Sequence, residues 1–284
     1  MLGSEQYAVY RTVIKHVLSD SEHLPSLPTI TLKIRKAVGA SNTTASSLAQ
    51  LVGKDPALSA LLIKSASCPL FRRPVAPKTL TDVVSLLGFE AVQSLVMLHS
   101  VRSLFVLRSS MMKKLLNHTW QRLILKTSLA SFLAQRLDYR PMDEAQMATL
   151  LTEVGSLAVL SALIESNHAP GPETYFQLCR HYSKSLGSVL LNKWNVDQSF
   201  VTVLKQSGDW SQTTGEDIAL IDIVNLSIYN TVLLTNKNAD LPPLESLAAF
   251  GKLPESDRRC SKPNRLALVT ENLEEIQAIV DTFR

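Results

Sequence analysis

The chain has 284 residues, a formal net charge of +4, 45% hydrophobic residues and 19% charged residues. This apolar content excludes intrinsic disorder, and 10 glycines with 13 prolines exclude collagen-like sequence. Cys68, Cys179 and Cys260 form no C-x-x-C pair, so zinc-knuckle and redox-pair classes fall away and reduced thiols in a cytoplasmic protein are expected.

Charge and apolar runs narrow the partners. Arg72-Arg73, Lys113-Lys114 and Arg258-Arg259 are isolated pairs rather than a stripe, so nucleic acid is not an expected partner. The apolar run Ala148–Leu163 is interrupted by Thr152, Glu153 and Ser156. It falls short of the roughly 18–20 clean apolar residues of a span, so no membrane is expected, and the N-terminus carries no signal-peptide core.

The apolar periodicity predicts an all-α protein. Tyr10, Val13, Ile14 and Val17 mark one face of a first helix. Leu24-Pro25-Ser26-Leu27-Pro28 reads as extended, because each proline pushes its predecessor out of the α region. A helix follows over Thr29–Val38, and Thr44 is placed to cap another over Ala45–Val52. Asp55-Pro56 is the clearest start signal: Asp accepts from free N–H groups, and Pro gives up an N–H that has no partner anyway. The helix it opens carries Leu58, Leu61, Leu62 and Ala66 and reads as buried. Thr79 or Thr81 caps a short helix ending at Gly88, and Glu90–Phe105 continues. Later helices are predicted at Met111–Leu137, Asp143–Ser166, Pro172–Tyr182, Lys184–Trp194, Ser199–Gln206, Glu216–Thr235 and Asn272–Phe283. Residues Ala239–Asn264 read as an irregular connection. The expected division is an N-terminal helical subdomain over 1–110, a second over 111–235, and a connection with a last helix over 236–284.

The ordered set Leu24-Pro25 … Leu27-Pro28 … Asp55-Pro56-Ala57-Leu58 … Phe71 … Leu86-Leu87-Gly88, continuing through Trp120, Leu133-Ala134, Leu186-Gly187 and Trp194, resembles the HDOD family. These bacterial domains are related to the HD metal-dependent phosphohydrolases. The resemblance covers about residues 20–210 and implies a multi-helical HD-like fold in two helical subdomains. In HD enzymes, histidines and a His-Asp pair bind a divalent ion that polarises the phosphoryl group and activates water.

Carried over residue by residue, the resemblance puts the family's His-Asp pair on Thr152 and Glu153 within Leu150-Leu151-Thr152-Glu153-Val154-Gly155. The upstream histidine falls near Arg122, the one before Leu186-Gly187 on Ser183, and the last near Ser207. No metal and no cofactor are expected, since every ligand position but Glu153 holds another residue type. A shifted site of His118, His181 and Glu153 is the competing arrangement. His16, His23, His99 and His168 read as surface or partly buried, and Trp120 and Trp194 as core anchors. No GxGxxG, P-loop or GxSxG motif is present.

Three functions follow from the resemblance. The first is a non-catalytic regulatory protein of bacterial signal transduction, a degenerate phosphohydrolase acting through protein partners. Phe71, Arg72 and Arg73 are its candidate contact patch, against the alternative that Phe71 packs inward. The second is a working metal-dependent phosphohydrolase or phosphodiesterase. The third is a sensor of a nucleotide or small molecule in the vestigial cleft, with positive charge from Arg122, Lys126 and Arg136.

Overall fold

The structure, a computed structural model, describes residues 4–19, 24–68, 71, 77–104, 110–164, 170–212, 214–236 and 239–283. Helix α1 (Ser4–Ser19) turns Tyr10, Ile14 and Val17 into the core. Leu24 and Leu27 of the Leu-Pro stretch are buried as well, before α2 (Thr29–Val38) begins. Three local start signals work as the side-chain chemistry requires. Thr44 accepts from the Ser47 N–H (3.1 Å) at the start of α3 (Ala45–Val52). Asp55 Oδ1 accepts from the N–H groups of Ala57 and Leu58 (3.0 Å each), opening α4 (Pro56–Ala66), whose Leu58 and Leu62 are fully buried. Thr79, not Thr81, caps α5 (Leu80–Leu87) by accepting from the Asp82 N–H. Gly88 then takes φ +84°, a conformation open chiefly to glycine, and α6 (Phe89–Leu104) leaves at 105° to α5.

Helix α7 (Ser110–Arg136) is the axis of the second half of the fold. It packs against α8 (Met142–Leu151), α9 (Val154–Ile164), α12 (Leu220–Thr235) and α15 (Leu273–Phe283). Helix α1 packs on α9 and on α10 (Pro172–Lys193), so the chain's first helix closes on its middle. One contiguous hydrophobic core runs from Tyr10 to Phe283.

Four sequence expectations change. The single helix expected over Asp143–Ser166 is two, α8 and α9, broken at Thr152–Glu153. The two helices expected at Pro172–Tyr182 and Lys184–Trp194 are one, α10, because Ser183 alone does not break a helix whose flanking turns are both anchored in the core. Helix α12 starts at Leu220 rather than Glu216; Asp222 accepts from the Ala219 N–H (2.9 Å) and fixes the start there. The connection over Ala239–Asn264 is partly regular. It contains a 3-10 turn at Leu244–Ser246, the short helix α13 (Ala248–Gly251) and strand β1 (Cys260–Lys262), which pairs antiparallel with β2 (Arg265–Leu266). Asn264 carries the hairpin turn at φ +61°, and its side chain accepts from the Leu244 N–H (3.0 Å). The turn α14 (Ala267–Thr270) leads into α15, the last helix of the described residues.

The run Met142–Leu163 is long and apolar enough to cross a membrane by length and composition, but 94% of its most apolar window is buried inside the fold. Its apolar character serves the core: α9 lies directly on α10. The contact is made by glycines. A Cβ at Gly155 would stand 1.8 Å from the Ser183 carbonyl oxygen, and one at Gly187 only 3.2 Å from the Gly155 Cα. Two helices whose backbones touch admit no side chain between them.

Gly155→Ala should therefore destabilise the fold by about 3 kcal/mol or more, as overpacking against backbone does. That is a fall of roughly 6–12 °C in melting temperature for a chain of this size. Gly171→Ala, where a Cβ meets no atom within 4 Å, should melt like the parent protein. Equal melting of both variants would remove the α9–α10 backbone contact.

Candidate functional site

The break between α8 and α9 puts Glu153 at the start of α9, where its carbonyl accepts from the Ser156 N–H (3.0 Å). Its side chain turns inward and is almost wholly buried. Across from it, α7 presents Arg122 and Lys126, four residues and about one turn apart on one face. Arg122 Nη2 donates to Glu153 Oε1, and Lys126 Nζ donates to Glu153 Oε2 at 2.6 Å. Lys126 is as buried as the carboxylate, whereas Arg122 keeps about 30% of its side chain in solvent.

The charges shift one another in directions set by burial and proximity. Burial alone would raise the Glu153 pKa, but Arg122 and Lys126 outweigh it and hold the carboxyl well below the usual range. Burial pulls the Lys126 ammonium down, and Glu153 opposes that pull. Glu153 raises Arg122 further. Behind the cluster, the Tyr175 hydroxyl donates to the Ser156 carbonyl (3.0 Å) and lies 2.9 Å from Thr119 Oγ1. Burial raises Tyr175 well above its ordinary value and pushes the Cys179 thiol up to about 12. Neither is a nucleophile at neutral pH.

The remaining positions are drawn in unevenly. The Ser183 backbone reaches the site through its contact with Gly155. The Thr152 hydroxyl donates to the Thr149 carbonyl (2.7 Å) and the Ser207 hydroxyl to the Leu204 carbonyl (2.8 Å). His118 lies edge-on to Phe176 with ring centroids 5.1 Å apart, and His181 stands against Tyr7 and the Gln177 carbonyl. Burial and the neighbouring Arg122 lower the His118 pKa. Arg136, offered from sequence as a third positive charge here, instead pairs with Glu275 of α15. It is ten residues beyond Lys126, about 15 Å along the helix. Phe71 is partly buried against the core, while Arg72 and Arg73 lie outside the described residues, as do His23 and His168. Trp194 is buried and its indole N–H donates to the Pro25 carbonyl (2.8 Å); Trp120 is half-buried against the core. Sequence reasoning missed Tyr175 and Thr119. It named Lys126 only as loose charge, although the i, i+4 spacing from Arg122 already placed both on one face.

A family model of the HDOD domain matches residues 24–209. The chain belongs to the HDOD family. No curated protein matches it. Its fold is that of solved HDOD-type structures. A protein from Shewanella amazonensis, provisionally named a metal-dependent phosphohydrolase, superposes with a TM-score of 0.78 at 19% identity, over 98% of this chain and 100% of that one. An HDOD domain protein of unknown function from Geobacter sulfurreducens gives 0.64 at 16% identity, over 96% and 97%. A protein from Marinobacter aquaeolei, provisionally named a signal transduction protein, gives 0.62 at 16% identity, over 98% of this chain and 66% of that one.

The donor set of this HDOD chain does not fit an HD-type metal. Such an ion takes imidazole and carboxylate ligands. In this chain the aligned positions hold a guanidinium, two hydroxyls with hydrogen-bond partners, Ser183, and one carboxylate whose two oxygens are already engaged by cations. Among the described residues no group of three or more His, Cys, Asp or Glu side chains comes together.

Glu153→Gln should cost about 3–5 kcal/mol, because it leaves the buried Lys126 ammonium without its counter-charge. Acid titration gives a second readout. The unfolded chain binds a proton at Glu153 near pH 4, whereas the folded protein resists protonation well below that. The Glu153 contribution is thus complete above about pH 5 and lost as pH falls, at up to about 1.4 kcal/mol per pH unit. Denaturant melts from pH 6 to pH 3 should show a shallower fall for Glu153→Gln than for the parent; parallel curves would mean that Glu153 titrates normally.

Proposed function

We propose that this HDOD protein is a non-catalytic component of bacterial signal transduction that acts through protein partners. The observation that carries the reading is the engagement of both Glu153 oxygens by Arg122 and Lys126. Two side-chain cations deliver to the carboxylate the positive charge that a divalent ion would bring to an HD site. They bring no open coordination position and no bound water to activate. The strong depression of the Glu153 pKa also removes it as a general base near neutral pH, since a base that weak gains little by taking a proton. The provisional name of the Marinobacter relative supports a signalling role. Three cysteines, far apart in sequence and without a C-x-x-C pair, suit a reducing compartment, and we place the protein in the cytoplasm.

The vestigial cleft is a poor place for a nucleotide in this reading. Lys126 is buried and committed to Glu153, and Arg136 points to α15.

The test is thermal denaturation with and without divalent metal, beside a hydrolysis assay. A micromolar site at millimolar metal would stabilise the protein by about 4 kcal/mol. That is a rise of about 8 °C or more. The expected outcome is no such shift with Mn²⁺, Fe²⁺, Co²⁺, Ni²⁺ or Mg²⁺, and no turnover of a phosphodiester above a metal-only blank. Turnover abolished by Glu153→Ala in a folded variant would establish the phosphohydrolase instead.

A further inference from the structure

A cleft of about 400 Å³ opens between α4, α6, α7 and the end of α15. No residue of the Glu153 cluster lines it, so binding in this cleft neither needs nor excludes chemistry at that cluster. Its floor comes from α4. Ala57, Ala60, Leu61 and Lys64 recur at i, i+3, i+4 and i+7 and share one face, opposite the buried Leu58 and Leu62. Ala57 and Ala60 are exposed and small, so the floor is flat and apolar. The opposite walls carry Leu98, His99 and Arg102 of α6, Trp120 of α7 and Phe283 of α15.

The charge of the cleft has one sign. Among the described residues that line it the permanent charges are Lys64 and Arg102, and there is no Asp or Glu. Asp55 Oδ2 lies 3.5 Å from His99 Nε2 and its other oxygen caps α4, so Asp55 is committed there. The Arg102 guanidinium is held 5.6 Å from the centroid of the Trp120 ring. The Trp120 indole N–H is buried and has no hydrogen-bond partner among the described residues. A buried donor without an acceptor is costly, and an acceptor that reaches it recovers that cost.

We infer that this cleft binds a small, flat, anionic molecule: an aromatic carboxylate or a mononucleotide. The flat ring lies on the Ala57–Ala60–Leu61 floor, where it buries apolar surface. The anionic head meets Lys64 and Arg102, of which the planar guanidinium is suited to carboxylate or phosphate oxygens. The Trp120 N–H, without an acceptor among the described residues, is the donor that a polar ligand atom takes up. The volume falls within the range of small-molecule sites and fits one ring system with one charged group.

The experiment titrates the full chain with salicylate and with AMP, read by calorimetry and by tryptophan fluorescence; adenosine and inorganic phosphate are the half-ligand controls. Saturable binding by one or both anions is expected, with adenosine and phosphate each weaker by about tenfold or more. Salicylate as the tighter ligand assigns an aromatic carboxylate, AMP a nucleotide. Lys64→Ala and Arg102→Ala are exposed substitutions whose folding is checked by their melts, and each should weaken binding by about tenfold, the worth of one charge-assisted hydrogen bond. The fluorescence change should vanish in Trp120→Phe, and its calorimetric binding should be weaker than the parent's because the indole N–H is lost; Trp194 and Trp210 do not line the cleft and report nothing of it. The inference is overturned if neither anion saturates at millimolar concentration, if phosphate alone binds as tightly as AMP, or if both alanine variants bind like the parent.

Discussion

A buried carboxylate held between two cations fixes the centre of this molecule. Taking three charges out of water is costly, and only close geometry returns the cost. Glu153 meets that condition because each oxygen has its own donor: Lys126 at 2.6 Å from one side, Arg122 from the other, with Arg122 reaching solvent. Its backbone also opens α9, so the negative charge sits at the positive end of that helix. The cluster is asymmetric in its sensitivity. Loss of one member strands a charge in the core, whereas joint replacement by apolar groups strands none. It therefore specifies how α7 lies on the α8–α9 turn more than it adds net stability.

The packing around the cluster follows from that register. Helix α7 touches α8, α9, α12 and α15, and a rotation that freed Arg122 and Lys126 from Glu153 would disturb all four contacts. Gly155, two residues after Glu153, then lets α9 meet α10 backbone to backbone at Ser183 and Gly187. At the far end of α10, Lys193 and Trp194 donate to the carbonyls of Leu24 and Pro25, while Arg35 donates to the Trp194 and Asn195 carbonyls. The Leu-Pro stretch is extended for this reason. Prolines leave its carbonyls unpaired by helix and open to side-chain donors from 169 residues away. The residues that carry the HDOD resemblance at the Leu-Pro stretch and at Gly187 and Trp194 are thus packing solutions.

What was legible in the sequence was local. Asp55-Pro56, Thr44 and Thr79 could be read because a cap needs only residues within one turn of itself. The all-α class followed from periodicity. The break at Thr152–Glu153 was not legible, since neither residue is a helix breaker; tertiary contacts to Arg122 and Lys126 decide it. The opposite error fell in α10, where two helices were expected on either side of Ser183 and the structure has one, Ser183 lying inside it with its backbone against Gly155. The candidate site was half legible. Alignment picked out Glu153 and Arg122, and helical spacing could have added Lys126. Tyr175, however, reaches Ser156 and Thr119 only through the fold.

The most direct test is a double-mutant cycle on Lys126 and Glu153, with Lys126→Met, Glu153→Gln and the pair measured by denaturant unfolding at pH 7. If Glu153 is neutralised by buried cations, the double variant should be more stable than Glu153→Gln alone, because the second change removes the stranded ammonium. Losses that simply add would contradict the ion-paired cluster, and with it the physical basis for a non-catalytic Glu153.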